Sequence, residues 1–116
     1  MTMTGHTITT ERAPGRVRVR FGGETVADST RALVLREASL PPVLYFPPDD
    51  VRMDLLTPTE LHTTCPFKGQ ASYWTLTVGD RRAESVAWGY LEPLTGREDI
   101  RGHLAFFADR VDISED

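Results

Sequence analysis

The chain has one cysteine among 116 residues, Cys65, so no internal disulfide can form. A lone thiol suits a reducing compartment, and the cytoplasm is the expected location. No apolar run approaches the roughly 20 residues that span a membrane. Residues 1–13 are polar and lack the apolar stretch of a secretory signal. Residues 1–14 are expected to be a flexible tail, with a single domain over residues 15–116. Positive charge is not in excess: 13 Lys and Arg against 17 Asp and Glu leave a net charge of −4. That argues against nucleic acid as the main partner. The charge is uneven, with six Arg against three acids over residues 1–36 and seven basic against fourteen acidic residues beyond. This leaves either a weak anion-binding edge near the N-terminus or plain solvated strand faces. Paired cysteines are missing as well. His62 and Cys65 have ligand-like spacing, but His6 and His103 are far away, and one cysteine cannot complete a structural zinc site. No Walker-type phosphate loop and no serine-triad signature is present. No metal and no cofactor is expected.

What is present reads as β structure. Residues 16–21, Arg-Val-Arg-Val-Arg-Phe, alternate strictly, with Val17, Val19 and Phe21 on one face and three arginines on the other. Gly22-Gly23 suits a tight turn, and residues 24–28 read as the return strand. Residues 32–36 and 43–46 are further strand candidates, the latter bounded by Pro41-Pro42 and Pro47-Pro48. Residues 51–56 suit a capped helical turn or a strand, with Pro58 too close for a long helix. Residues 61–65 are expected to be extended, since Pro66 disfavours helix at Cys65. Residues 72–78 and 82–90 form a second hairpin turning near Gly79-Asp80. Residues 103–107 and 110–113 close the chain as short strands. Six to nine short strands predict a mainly β, small antiparallel barrel or sandwich with at most short helical turns.

A two-residue turn at Gly79-Asp80 sorts the faces of the second hairpin. One face carries Ala71, Tyr73, Thr75, Glu84, Val86, Trp88 and Tyr90. The other carries Trp74, Leu76, Val78, Ala83, Ser85 and Ala87. Both are apolar, so the sheet is expected to be covered on both sides, one side being core and the other a pocket. Tyr73, Trp88 and Tyr90 favour the pocket, because aromatic rings with polar handles suit a site that is apolar yet orienting. In this register Gly69 lies opposite Tyr90. The alternative is that these rings are ordinary core. Lys68 is the single lysine against twelve arginines and lies three residues from Cys65. An ammonium is a compact anchor for an anionic group or a nucleophile, and nearby positive charge makes a thiol reactive. Cys65 and Lys68 are therefore the catalytic candidates. The bland reading makes Cys65 a small buried hydrophobe and Lys68 a loop-tip charge.

The stretches FGGETVADSTRAL (21–33), PPVLYFPPDDV (41–51), TTCPFKGQASYWTL (63–76), VAWGYLEP (86–93) and HLAFFADRVDI (103–113) resemble the bacterial DUF427 family across nearly the whole domain. The CPxKGxAxY string at 65–73 is the most specific. The resemblance implies a β-tent-type fold, similar to the Mss4-like and cereblon ligand-binding domains. Some relatives of that fold hold zinc on Cys pairs that this chain lacks. Others use an aromatic cage, with which Tyr73, Trp88 and Tyr90 are compatible. The family also carries a nucleotidyltransferase-like label, but no carboxylate pair is spaced to hold Mg²⁺. The leading expectation is a small-molecule-binding β domain whose pocket is lined by Tyr45, Cys65, Lys68, Tyr73, Trp88 and Tyr90. Its ligand would be an unidentified small molecule, anionic if Lys68 is its anchor. Whether the site also catalyses stays open. The alternatives are nucleotidyl transfer and a protein-interaction module that uses a sheet edge.

Overall fold

The computed structural model describes residues 7–115. Ten strands lie among them: β1 (Ile8–Arg12), β2 (Val17–Phe21), β3 (Glu24–Ser29), β4 (Leu33–Glu37), β5 (Val43–Tyr45), β6 (Leu56–Cys65), β7 (Gly69–Val78), β8 (Arg81–Gly89), β9 (Ala105–Phe106) and β10 (Asp112–Glu115). The helical content is three single 3-10 turns at Pro48–Asp50, Met53–Leu55 and Glu98–Ile100. The strands form three antiparallel sheets in the orders β1-β4-β5, β10-β2-β3 and β6-β7-β8-β9, and the described strands do not close into a barrel. The chain is mainly β, as its alternation and turn residues predict. Among the described residues no helix is long and apolar enough to cross a membrane.

The expected tail needs correction. Residues 1–6 lie outside the described part, but Ile8–Arg12 form β1, paired with β4 from Ile8↔Glu37 to Arg12↔Leu33. Ala13 is buried in the core. Only Ile8 and Thr10 of β1 are even half-buried. Backbone hydrogen bonds to β4 hold this strand, so side-chain alternation leaves almost no trace of it.

Both hairpins turn where glycine permits. Phe21 pairs with Glu24 across Gly22-Gly23, each glycine at positive φ (59° and 83°), as a primed turn demands. A bulge then inserts Val26, so that Val26 and Ala27 are both buried. In the second hairpin Val78 pairs with Arg81, as the two-residue turn predicts. The register then slips. Between Leu76↔Ala83 and Trp74↔Ala87, β7 advances two residues and β8 four, with Ser85 at φ 51°. An even slip preserves the faces on either side of it. Tyr73 therefore stays on the face of Trp88, but the slip sets it directly opposite Trp88 instead of Val86, and Trp74 opposite Ala87 instead of Ser85. Two expectations are corrected: Val86 joins the Trp74 side, and Gly69 does not oppose Tyr90.

The four-stranded sheet is covered on both faces. On one, Trp74, Leu76, Val86 and Phe106 pack with Val17, Val19 and Val26 of the β10-β2-β3 sheet. On the other, Ala71, Tyr90 and Ala105 pack with Leu35 and Tyr45 of the β1-β4-β5 sheet, and Cys65, Tyr73 and Trp88 lie half-buried against them. Gly89 ends β8 where the chain at His103 crosses it. A Cβ there would sit 2.4 Å from the His103 carbonyl oxygen, so only glycine fits.

Candidate functional site

β4 ends on Glu37, and the alternation that turns Leu35 inward turns Glu37 inward with it. The segment that leaves Cys65 brings Lys68 to meet it. The Lys68 amide donates to the Cys65 carbonyl at 3.3 Å, and its own carbonyl accepts from the Leu94 amide at 2.9 Å. Its side chain is buried, with Nζ donating to Glu37 Oε1 at 2.6 Å. Desolvation is costly for either charge alone, and each is tolerated because the other is present. Lys68 is thus not a loop-tip charge, and its ammonium is already engaged by Glu37.

Five more of the expected site residues meet nearby. Tyr45 comes from β5, Cys65 from the end of β6, Tyr73 from β7, Trp88 from β8, and Tyr90 follows β8 directly. Tyr45 and Tyr90 are buried, while Cys65, Tyr73 and Trp88 are half-buried. The indole N–H of Trp88 donates to the Tyr45 hydroxyl at 3.3 Å, and the two rings meet edge to face with centroids 6.4 Å apart. Tyr73 shares a 2.9 Å hydrogen bond with the Thr63 hydroxyl.

Burial pushes the Tyr45 phenol up to about 12. The Trp88 hydrogen bond opposes that rise, and Glu37, Cys65 and Tyr73 add to it. Burial raises Tyr90 further still, assisted by Tyr45, Cys65, Tyr73 and Glu37. Both phenols stay neutral and keep a proton to donate. The Tyr90 hydroxyl has no hydrogen-bond partner among the described residues, although only 5% of the residue is exposed. A buried hydroxyl without a partner costs free energy unless a water or a ligand atom meets it.

Of the six residues, Trp88 reaches open space. It forms one wall of a cleft of about 350 Å³, with Pro42, Val43, Leu44, Phe106, Phe107, Ala108, Ile113 and Glu115 as the others. Phe107 tilts against Trp88 with ring centroids 4.6 Å apart and is 40% exposed.

Three contributors were not read from the sequence. Glu37 lies one residue past the expected end of its strand, and the pattern Leu35-x-Glu37 is the signal that would have found it. Phe106 ends β9 with its ring in the core, and Phe107, the next residue, turns its ring onto Trp88. Nothing in the sequence marked Glu115. Gly69 holds φ at 119°, and a Cβ there would come within 3.4 Å of the Glu92 carbonyl oxygen. His62 and Cys65 are three residues apart on one extended strand, so they point to opposite faces. His62 Nδ1 instead lies 3.4 Å from the Ser72 hydroxyl.

A family model described as a domain of unknown function (DUF427) matches residues 9–116. No curated protein matches the chain.

Proposed function

We propose that this chain, which belongs to the DUF427 family, binds a small molecule in the cleft walled by Trp88, with Tyr45 holding the indole from behind and Cys65, Tyr73, Tyr90 and the Lys68–Glu37 pair packed on the same side of the sheet. The observation that carries this reading is the placement of Trp88. Its N–H is satisfied internally by Tyr45, while its ring fronts a cleft of about 350 Å³ beside a 40% exposed phenylalanine. Small-molecule sites have this size and this apolar, aromatic lining. Lys68 serves as a positioning residue: held at 2.6 Å by Glu37, it fixes the turn that follows Cys65. Cys65 remains the group available for chemistry, and its free thiol suits a cytoplasmic setting.

Nucleotidyl transfer has less support. Asp50 is committed to the Ser29 hydroxyl at 2.6 Å and to Arg31 at 3.3 Å. Pairing through the edge strand β6 is opposed by Pro58 and Glu60, residues that blunt sheet edges.

The test is a thermal-shift screen of small molecules against the wild type and Trp88→Ala. Ligands are expected to raise the wild-type Tm and to lose most of that effect in the folded variant. Equal shifts in both proteins, or none across a diverse library, would place the function elsewhere.

A further inference from the structure

We infer that the ligand of the Trp88 cleft is a small organic cation, an amine or quaternary ammonium, held beside the paired rings of Trp88 and Phe107 and by the carboxylate of Glu115. The inference rests on the small-molecule reading above and specifies its chemistry. Aromatic faces are electron-rich and attract a cation within about 6 Å of the ring centroid. Here two such rings flank one cleft, and both are partly exposed. Glu115 is the one charged residue on the cleft wall; the other wall residues are Pro, Val, Leu, Ala, Ile and aromatic side chains. Glu115 makes no salt bridge among the described residues, so its charge is uncommitted.

The surroundings agree in sign. The groove continues past Pro42 and Leu44 into a second cleft of about 330 Å³, where Glu11 and Arg36 contribute one charge of each sign and leave Glu115 unbalanced. Lys68, the group that would draw an anion to this face, is buried and already neutralised by Glu37. An anionic ligand would meet two aromatic rings and a carboxylate with no cation on the cleft wall. A neutral aromatic ligand would fill the space but leave Glu115 unused. The expectation of an anionic ligand drawn by Lys68 is therefore replaced.

Three probes of similar size separate the possibilities: benzyltrimethylammonium, benzyl alcohol and phenylacetate. Each is titrated into the full chain while amide and indole NMR signals are followed, with Trp88→Phe assigning the Trp88 indole. Benzyltrimethylammonium is expected to shift Trp88, Phe107 and Glu115 and to bind at least several-fold more tightly than the other two. Glu115→Gln, an exposed substitution with no bearing on the core, is expected to weaken the cation about two- to five-fold and to leave benzyl alcohol unchanged. Added salt is expected to weaken the cation in the same way. If benzyl alcohol or phenylacetate binds as well as the cation at these residues, the cation inference fails and the small-molecule reading stands. If none of the three moves these signals, the cation inference fails, and the small-molecule reading falls with it only if the diverse library also gives no shift. Signals that move with protein concentration before any probe is added would assign the cleft to a second copy of the chain and overturn the inference.

Discussion

The two tryptophans of the second hairpin sit on opposite faces of the same sheet, fourteen positions apart, and the sheet treats them differently. Trp74 is 8% exposed and packs among aliphatic side chains. Trp88 is half-buried, gives its N–H to Tyr45, and turns its ring toward Phe107 and open space. The first face has the close apolar packing of a finished core. The second gathers three tyrosines, a thiol and a buried ion pair, and leaves the Tyr90 hydroxyl without a hydrogen-bond partner among the described residues. A sheet that needed only stability would bury two faces like the first, since a buried ion pair is often no better than apolar packing and an unpaired buried hydroxyl costs free energy.

The difference can be broken most sharply at the rings themselves. Trp74→Ala is expected to cost about 3–5 kcal/mol, the cost of emptying a packed core site. Trp88→Ala is expected to cost about half of that or less, because one side of the ring already lacks packed neighbours. Urea unfolding of both variants checks this, and equal losses would make the two faces alike.

The ion pair comes next. Lys68→Met alone is expected to cost about 3 kcal/mol, by leaving Glu37 buried without its partner. The double variant Lys68→Met, Glu37→Leu is expected to recover most of the loss. A single variant as stable as the wild type in urea would mean that the pair is solvated.

A smaller effect belongs to the core-side sheet. The hydrogen bond from Ser29, opposed by burial and helped by Arg31, lowers the Asp50 carboxyl below its ordinary value of 3.8. A carboxyl depressed in the folded state stabilises it above the unfolded value, and that contribution disappears as pH falls through the folded value. Ser29→Ala is expected to cost about 1–3 kcal/mol at pH 7, because it leaves the Arg31 amide and Asp50 without their hydroxyl partner. The gap between the two proteins should narrow below about pH 4. Unfolding curves across that range check it, and a gap independent of pH would remove Asp50 from the account.

Much of the comparison was legible in the residues. Strict alternation in residues 16–21 and the Gly-Gly and Gly-Asp turns located both hairpins, and face sorting put Tyr73 with Trp88 and apart from Trp74. The rest was hidden for physical reasons. β1 is held by backbone bonds that leave no side-chain period. The Ser85 bulge carries no glycine to announce it, so the slip that moved Val86 to the other face went unseen. Glu37 pairs with a residue 31 positions away, a contact fixed by the packing of two sheets and written in neither local pattern. Phe107, just after β9, and Glu115 of β10 meet in one cleft although β9 and β10 belong to different sheets, a contact that neither local pattern contains.

The smallest expected effect tests the central claim, that the Trp88 face is built to receive something rather than to be filled. Tyr90→Phe removes only the hydroxyl that has no hydrogen-bond partner among the described residues, and its free energy of unfolding is the direct measurement. The account predicts a variant within about 0.5 kcal/mol of the wild type, or slightly more stable, since an unsatisfied buried group is lost and no hydrogen bond goes with it. A loss of about 1.5 kcal/mol or more would contradict it, because the hydroxyl would then be paired and the face would be a completed core like that around Trp74.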